Sequence, residues 1–179
     1  MAGPRTEAPG DLRLIQRFCN SVANLYGVDA FATPADATAW FAEDGEISGG
    51  PRLDRRALHQ LVEVREAVRA LLGGTATAET TAALNECVRR SHTTIEWAVD
   101  GIPSLVLEPP EGVPGYLGSV LAALFQAGQS GELARLKTCQ APECRWVFYD
   151  RSKNRTGVWC RMDICGARHK MRAYRSRKT

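Results

Sequence analysis

The sequence predicts a mainly α-helical body with one β-hairpin, followed by a small α+β module at the C-terminus. Three observations carry that reading. Apolar residues recur at three- and four-residue steps through most of the first 130 positions. The period turns strand-like only around the Asp100-Gly101 pair. Four of the six cysteines crowd between positions 139 and 165, in a stretch too short to hold a core of its own.

Taken in order, Met1 to Gly10 is polar with scattered Pro and Gly and reads as a disordered tail. Asp11 to Tyr26 is expected to be one helix, with Leu12, Ile15, Phe18, Cys19, Val22 and Leu25 as its apolar stripe, ended by Gly27. Thr33-Pro34-Ala35-Asp36 is a helix start. It offers a hydroxyl cap, proline in the first turn and an acid at the positive end of the dipole. That helix carries Trp40 and Phe41 and stops before Gly45; Gly49-Gly50-Pro51 is a loop. A longer helix begins near Asp54, buries Leu58, Leu61, Val62, Val68, Leu71 and Leu72, and closes at Gly73-Gly74. Thr77 caps the next, with Leu84, Cys87 and Val88 inward.

Thr94 to Val99 and Ile102 to Leu107 are rich in branched and aromatic residues, and an Asp-Gly pair between two such runs signals a hairpin. Pro103 marks an edge strand. Glu108 to Gly115, with three prolines and two glycines, reads as a loop. Tyr116, Leu117, Val120, Leu121, Leu124 and Phe125 then form the inward face of a last body helix, and residues 131–137 a helical connector. The expected division is a tail at 1–10, a helical domain at 11–130, the connector, and a finger at 138–179.

The cysteine spacing is Cys139-x4-Cys144-x15-Cys160-x4-Cys165. Two close pairs separated by more than a dozen residues suit a tetrahedral site of four thiolates. A module of this size also needs a metal to be stable. One structural Zn2+ is therefore expected on these four residues. Four ordinary buried cysteines are the alternative, and His169 is a possible substitute ligand whose commoner role is a solvated or phosphate-facing side chain. The segment between the pairs predicts two short strands and a turn, Arg145 to Asp150 against Val158-Trp159. The whole would be a treble-clef-like or ribbon finger.

Net charge is +3, but it is unevenly spread. Residues 139–179 hold eleven Lys/Arg against three acids, while the first 138 residues hold twelve against seventeen. A helix from Asp163 to Arg175 would turn Ile164, Ala167, Met171 and Tyr174 inward. It would gather Arg168, Arg172 and Arg175 on one face, with Lys170 and Arg177 on the other flank. Arg161, Lys178 and the turn residues Arg151, Lys153 and Arg155 complete a basic surface suited to phosphates. DNA is the partner this predicts.

Several classes are not supported. No apolar run approaches the length of a membrane span, and no secretory leader is evident, so a cytoplasmic, nucleoid-associated location is expected. There is no Gly-rich phosphate loop, no HExxH and no nucleophile paired with a base, so an enzyme is not expected. His59 and His92 read as surface or capping residues, and Trp40, Trp97 and Tyr116 as core rather than pocket lining.

The run from Cys144-Arg145-Trp146-Val147-Phe148-Tyr149-Asp150-Arg151-Ser152-Lys153-Asn154-Arg155 through Trp159-Cys160-Arg161-Met162 to Cys165-Gly166-Ala167-Arg168 resembles the CGNR zinc finger. The body resembles the ABATE domain that commonly precedes that finger in bacterial proteins described as candidate stress-induced transcription regulators. This second likeness rests on Phe18-Cys19-Asn20-Ser21, the Thr33-Pro34-Ala35-Asp36 start and the domain order. The resemblance implies a four-cysteine zinc finger with a DNA-binding role. It also implies a body that senses a small-molecule effector or mediates assembly, such as a homodimer. The alternative is a finger that binds a protein of the transcription machinery. Arg168 matches the signature arginine, whereas Ala167 stands where the signature has asparagine.

Overall fold

The computed structural model describes residues 7–44, 53–91, 93–107 and 112–177. The body holds α1 (Leu12–Cys19), α2 (Pro34–Asp44), α3 (Arg55–Leu72), α4 (Ala78–Arg90) and α5 (Gly112–Ser130). Two short antiparallel pairs interrupt them: β1 (Val22–Ala23) with β2 (Val28–Asp29), and β3 (Thr93–Trp97) with β4 (Pro103–Leu107). A third pair, β5 (Leu136–Thr138) with β6 (Val147–Tyr149), precedes the terminal helix α6 (Ala167–Ser176).

Helix starts follow local chemistry. The Asp54 carboxylate accepts from the Ala57 amide at 2.7 Å. Thr77 and Thr80 form a reciprocal capping box. At the head of α2 the Thr33 hydroxyl accepts from the Asp36 amide and donates to the Asp36 carboxylate.

The first helix is shorter than its apolar stripe predicts. It stops at Cys19 because the next two side chains compete for backbone partners. The Ser21 hydroxyl donates back to the Phe18 carbonyl, and the Asn20 side-chain amide reaches away from the helix to Val147. Val22–Ala23 and Val28–Asp29 then pair as strands, Val22 with Asp29 and Ala23 with Val28, around Gly27, which takes a left-handed φ of 66°. The predicted tail is corrected at its end. Ala8 is buried, and its amide donates to the Gln16 side chain at 2.6 Å, pinning residues 7–10 to α1. Residues 1–6 and the Gly49-Gly50-Pro51 loop lie outside the described residues, as does His92.

The core gathers α1, α3 and α5 around a ring cluster of Phe18, Phe31, Trp40, Phe41 and Tyr116, with centroids 4.9–6.2 Å apart. The two faces of α3 differ from expectation. Leu71 is exposed, whereas Arg65 and Arg69 are buried. Arg65 forms a bidentate pair with Asp29 at 2.6 and 2.8 Å, closing the β1–β2 loop onto α3. The Arg69 guanidinium donates to the Cys19 carbonyl at 2.8 Å, satisfying the C-terminal end of α1. On α4, Cys87 is buried but Val88 is exposed; on α5, Phe125 is exposed. Trp97 lies on the exposed hairpin rather than in the core, while Trp40 and Tyr116 do pack inside; His59 is at the surface. Residues 112–115 belong to α5 rather than to a loop, because Pro114 fits a first turn that needs no amide donor there.

The connector is also corrected. Only Glu132–Arg135 is helical, a single tight turn, and residues 136–138 are strand β5. This strand and its partner do not stand apart from the body. Leu136 and Val147 join the body core, and the Asn20 side chain pairs with Val147 as a strand would. Its carbonyl accepts from the Val147 amide at 2.9 Å and its NH2 donates to the Val147 carbonyl at 2.8 Å. The Thr138 hydroxyl reaches the Arg69 carbonyl at 3.4 Å.

Candidate metal centre and nucleic-acid interface

The hairpin that carries the first cysteine pair is β5–β6, not the predicted pairing of Arg145–Asp150 with Val158-Trp159. Leu136, Lys137 and Thr138 face Tyr149, Phe148 and Val147. Cys139 and Cys144 sit on the tight turn joining these strands. The Cys139 amide donates to the Trp146 carbonyl at 2.8 Å, and the Cys144 and Arg145 amides both turn back to the Ala141 carbonyl. Arg145 holds a φ of 49°, which lets the chain re-enter β6. Val158 stays irregular and accepts from the Gln140 amide at 3.1 Å.

The second pair lies at the head of the terminal helix. Arg161 is extended, and the Cys165 and Gly166 amides both donate to its carbonyl, making a wide turn over Met162–Gly166 that leads into α6. Gly166 packs closely there. A Cβ would displace the exposed Met162 side chain and press to 3.3 Å from Trp159 Cδ1.

The four sulfur atoms lie within 4.8 Å of one another. Cys144 and Cys160 are 3.6 Å apart, and Cys160 and Cys165 3.8 Å. Zinc–sulfur bonds of about 2.3 Å in a tetrahedron require sulfur–sulfur edges of about 3.8 Å, so the donor set fits Zn2+. Thiol electrostatics agree. The Cys144 and Cys160 thiols hydrogen-bond Cys139 and hold it far below an ordinary cysteine. Cys160, facing that thiolate and Cys144, is pushed strongly up. Burial first, and the neighbouring thiolates next, raise Cys165 to about 12. Four thiolates at this spacing need a dication to coexist. With all four positions filled by protein, the site is structural. Around it packs a small apolar cluster of Ala141, Phe148, Trp146, Trp159 and Ile164. His169 is not among the clustered ligands and is not simply solvated. It packs against Trp159 with ring centroids 4.9 Å apart and the rings tilted by 35°.

The basic residues divide into two groups. Arg168, Arg172 and Arg175 line one groove of about 490 Å3 along α6, together with Asp163, Ile164, Ala167 and Met171. Arg172 is held by Glu143 of the metal-bearing turn, at 2.7 and 3.2 Å, which ties helix to knuckle. The predicted inward stripe of α6 is only half right. Ile164 and Ala167 are half-buried, while Met171 and Tyr174 are exposed, because α6 projects beyond the small finger core. Lys170 is exposed, and Arg177 turns back to the Ala173 carbonyl at the helix end. Arg161 pairs with Asp163. Lys178 lies outside the described residues.

Arg151, Lys153 and Arg155 form the second group, on the exposed 151–157 loop, and none of them lines the α6 groove. Arg151 reaches the Glu7 carbonyl and Arg155 the Gly131 carbonyl, so this loop leans on the body. Its organiser is Asp150, which charge counting alone passed over. Asp150 is buried and accepts from Lys137 Nζ at 2.7 Å, the Ser152 amide at 2.9 Å and the Gly157 amide at 2.7 Å. Burial would raise its carboxyl, but these donors outweigh burial and hold it well below the usual carboxylate range. Gly157 must be glycine, since a Cβ would lie 2.8–2.9 Å from the Asp150 carboxylate. The available signal was one of only three acids amid eleven cations in residues 139–179.

Fold and site together define a zinc-finger protein whose finger is built into a helical body. The CGNR zinc finger family matches residues 135–178. The ABATE family, described as "Putative stress-induced transcription regulator", matches residues 12–136. That match spans well over half of the chain, and the chain belongs to the ABATE family. No curated protein matches it. Among the described residues, no helix is long and apolar enough to cross a membrane.

Proposed function

We propose that this protein is a DNA-binding transcription regulator without catalytic activity of its own. Its zinc-pinned finger contacts the duplex, and its helical body senses a signal or mediates assembly. The observation that carries the reading is the α6 groove, where Arg168, Arg172 and Arg175 converge on a helix anchored at its head by two metal ligands. Guanidinium groups on a rigid helix suit bidentate contacts to phosphates and to guanine edges. The family's description as a transcription regulator supports the same reading. Ala167 opens onto this groove, so the missing signature asparagine removes a polar contact where DNA would lie.

Fluorescence anisotropy with duplex DNA at two salt concentrations tests this. Binding is expected at low salt, weakening steeply as salt rises. Arg168→Ala with Arg175→Ala should weaken binding while zinc content stays one per chain. No binding at low salt, or binding indifferent to salt, would sink the proposal. A second reading, a protein partner in transcription, is favoured by one feature: Met171 and Tyr174 are 53% and 51% exposed on α6. In that case the arginine variants leave DNA affinity unchanged.

A further inference from the structure

The 151–157 loop is held more firmly than a connector needs. It leads from β6 towards Cys160 and carries Arg151, Lys153 and Arg155, with no acid among its residues. Three charged side chains grip its inner side. The Asp150 carboxylate, 4% exposed, accepts from the Ser152 and Gly157 amides and so fastens the loop near both ends. Lys137 Nζ donates to that carboxylate and to the Arg155 and Gly157 carbonyls. The Arg135 guanidinium donates to the Asp150 carbonyl at 2.9 Å and to the Ser152 carbonyl at 3.2 Å. Within the loop, the Arg155 amide turns back to the Ser152 carbonyl and the Thr156 amide to the Ser152 hydroxyl, both at 3.2 Å.

The network spends itself on the backbone and leaves the outward side chains to solvent. Residues 151–156 are exposed, and Lys153 and Asn154 make no hydrogen bond among the described residues. Arg151 and Arg155 reach only body carbonyls, at 3.4 and 3.5 Å. Two features of this arrangement carry a cost. Arg155 holds a φ of 51°, a left-handed conformation in which a loop that only connects would take glycine. Asp150 gives up hydration to be buried. Both costs fix the place of three like charges that would otherwise spread apart. The ligand that gains from finding them already gathered is a row of phosphates.

We propose that the 151–157 loop is a second contact to the DNA backbone, separate from the α6 groove, and that Asp150 is its positioning residue. This rests on the DNA reading above. Lys153 and Arg155 meet phosphate, while Asp150 meets none and acts by holding the loop, with Lys137 as its partner. Phosphate contacts add affinity without reading bases, so the loop supplies strength and α6 the choice of sequence.

Anisotropy of the full zinc-bearing chain on two unrelated duplexes, over a range of salt, tests it. Lys153→Gln with Arg155→Gln should weaken binding to both duplexes by the same factor. It should also lower the slope of log affinity against log salt by about 2, roughly one per contact. Asp150→Asn decides the positioning role by its sign. It makes the finger more positive, so charge alone would tighten binding. Loss of the loop's geometry should weaken it instead, by about threefold or more, the size of one lost phosphate contact. Gly157→Ala changes no charge, but its Cβ would lie 2.8–2.9 Å from the Asp150 carboxylate, and it should act in the same direction. Zinc at one per chain and unchanged amide exchange in α6 show that the finger of each variant is folded; should Asp150→Asn lose zinc, Gly157→Ala decides. A wild type that binds neither duplex overturns the DNA reading and this proposal with it. A wild type that binds, with affinity and slope unmoved by the Lys153 and Arg155 changes, overturns this proposal and leaves the α6 groove standing. Binding by Asp150→Asn and Gly157→Ala as tight as wild type, or tighter, overturns the positioning role.

Discussion

The body and the finger are stabilised by different physics within one chain. The body buries a continuous core of rings and aliphatic side chains from helices α1 to α5. The finger's own apolar cluster has five buried residues, three of them its cysteines, and depends on the metal to hold its turns. Between them, β5 and β6 belong to both: their inner side chains pack in the body while the turn that joins them carries two ligands. A small module need not be independently stable if half of its hairpin is lent to a neighbour's core.

The sharpest way to break that comparison is to remove the metal. Zinc binding in such modules contributes on the order of 10 kcal/mol of folding free energy. Chelation, or Cys165→Ser, should therefore unfold residues from about Cys160 onward while the body keeps its helices. The β5–β6 strands should persist, because Leu136 and Val147 are held by the body. Amide exchange resolves the two regions. Equal loss of protection in α6 and α5 would show that the regions are not separable.

The converse experiment attacks the core. Phe41 is buried among the rings and touches no part of the finger cluster. Phe41→Ala should cost about 3–5 kcal/mol, read as a lowered midpoint in denaturant. At low denaturant the variant should still bind one zinc per chain. A substoichiometric metal content there would mean that the finger needs the body's full stability.

Much of this division was legible in the residues. Helix starts at Thr33, Asp54 and Thr77 could be read because capping is local chemistry. The four ligands could be read because metal spacing is local too. What could not be read is long-range. Asn20 looks like a helix residue until Val147, 127 positions away, supplies its partner. The β5 strand looked helical, since Glu132 to Lys137 lacks any alternation, and its pairing is decided by the metal turn that follows. Arg65 and Arg69 broke the helical stripe because their partners, Asp29 and the Cys19 carbonyl, come from distant segments. Asp150 gave no sign beyond its charge, because its donors are mainly backbone amides and one lysine from the opposite strand.

The seam between the regions is the next target. Asn20→Ala leaves the Val147 amide without a partner and its carbonyl with only the longer 3.4 Å bond from the Gln16 side chain, a loss of about 1–3 kcal/mol. The expected signature is distinctive: β6 amides lose protection, while helices α2 and α4 and the zinc content do not change. Asn20→Asp restores only the acceptor and should recover part of the loss. If exchange in β6 is the same as in wild type, the side-chain pairing does not hold the seam.

Acid separates the regions by the smallest effect. As pH falls the thiolates take up protons and zinc is released, so the finger should unfold first. The body relies instead on groups such as Asp29. Burial would raise its carboxyl, but the Arg65 guanidinium outweighs burial and lowers it. A carboxylate lowered in the folded state contributes stability that is complete above the ordinary carboxylate value of about 3.9 and is lost as pH falls through the folded value. Asp29 is partly open to solvent, so its share is modest, about 1 kcal/mol. Asp29→Asn should thus lower the body's melting midpoint slightly near neutral pH and flatten its further fall between the ordinary carboxylate range and stronger acid. The pH of zinc release should not move. A body that melts together with zinc release would mean that the finger, through β5 and β6, carries more of the body's stability than its buried side chains imply.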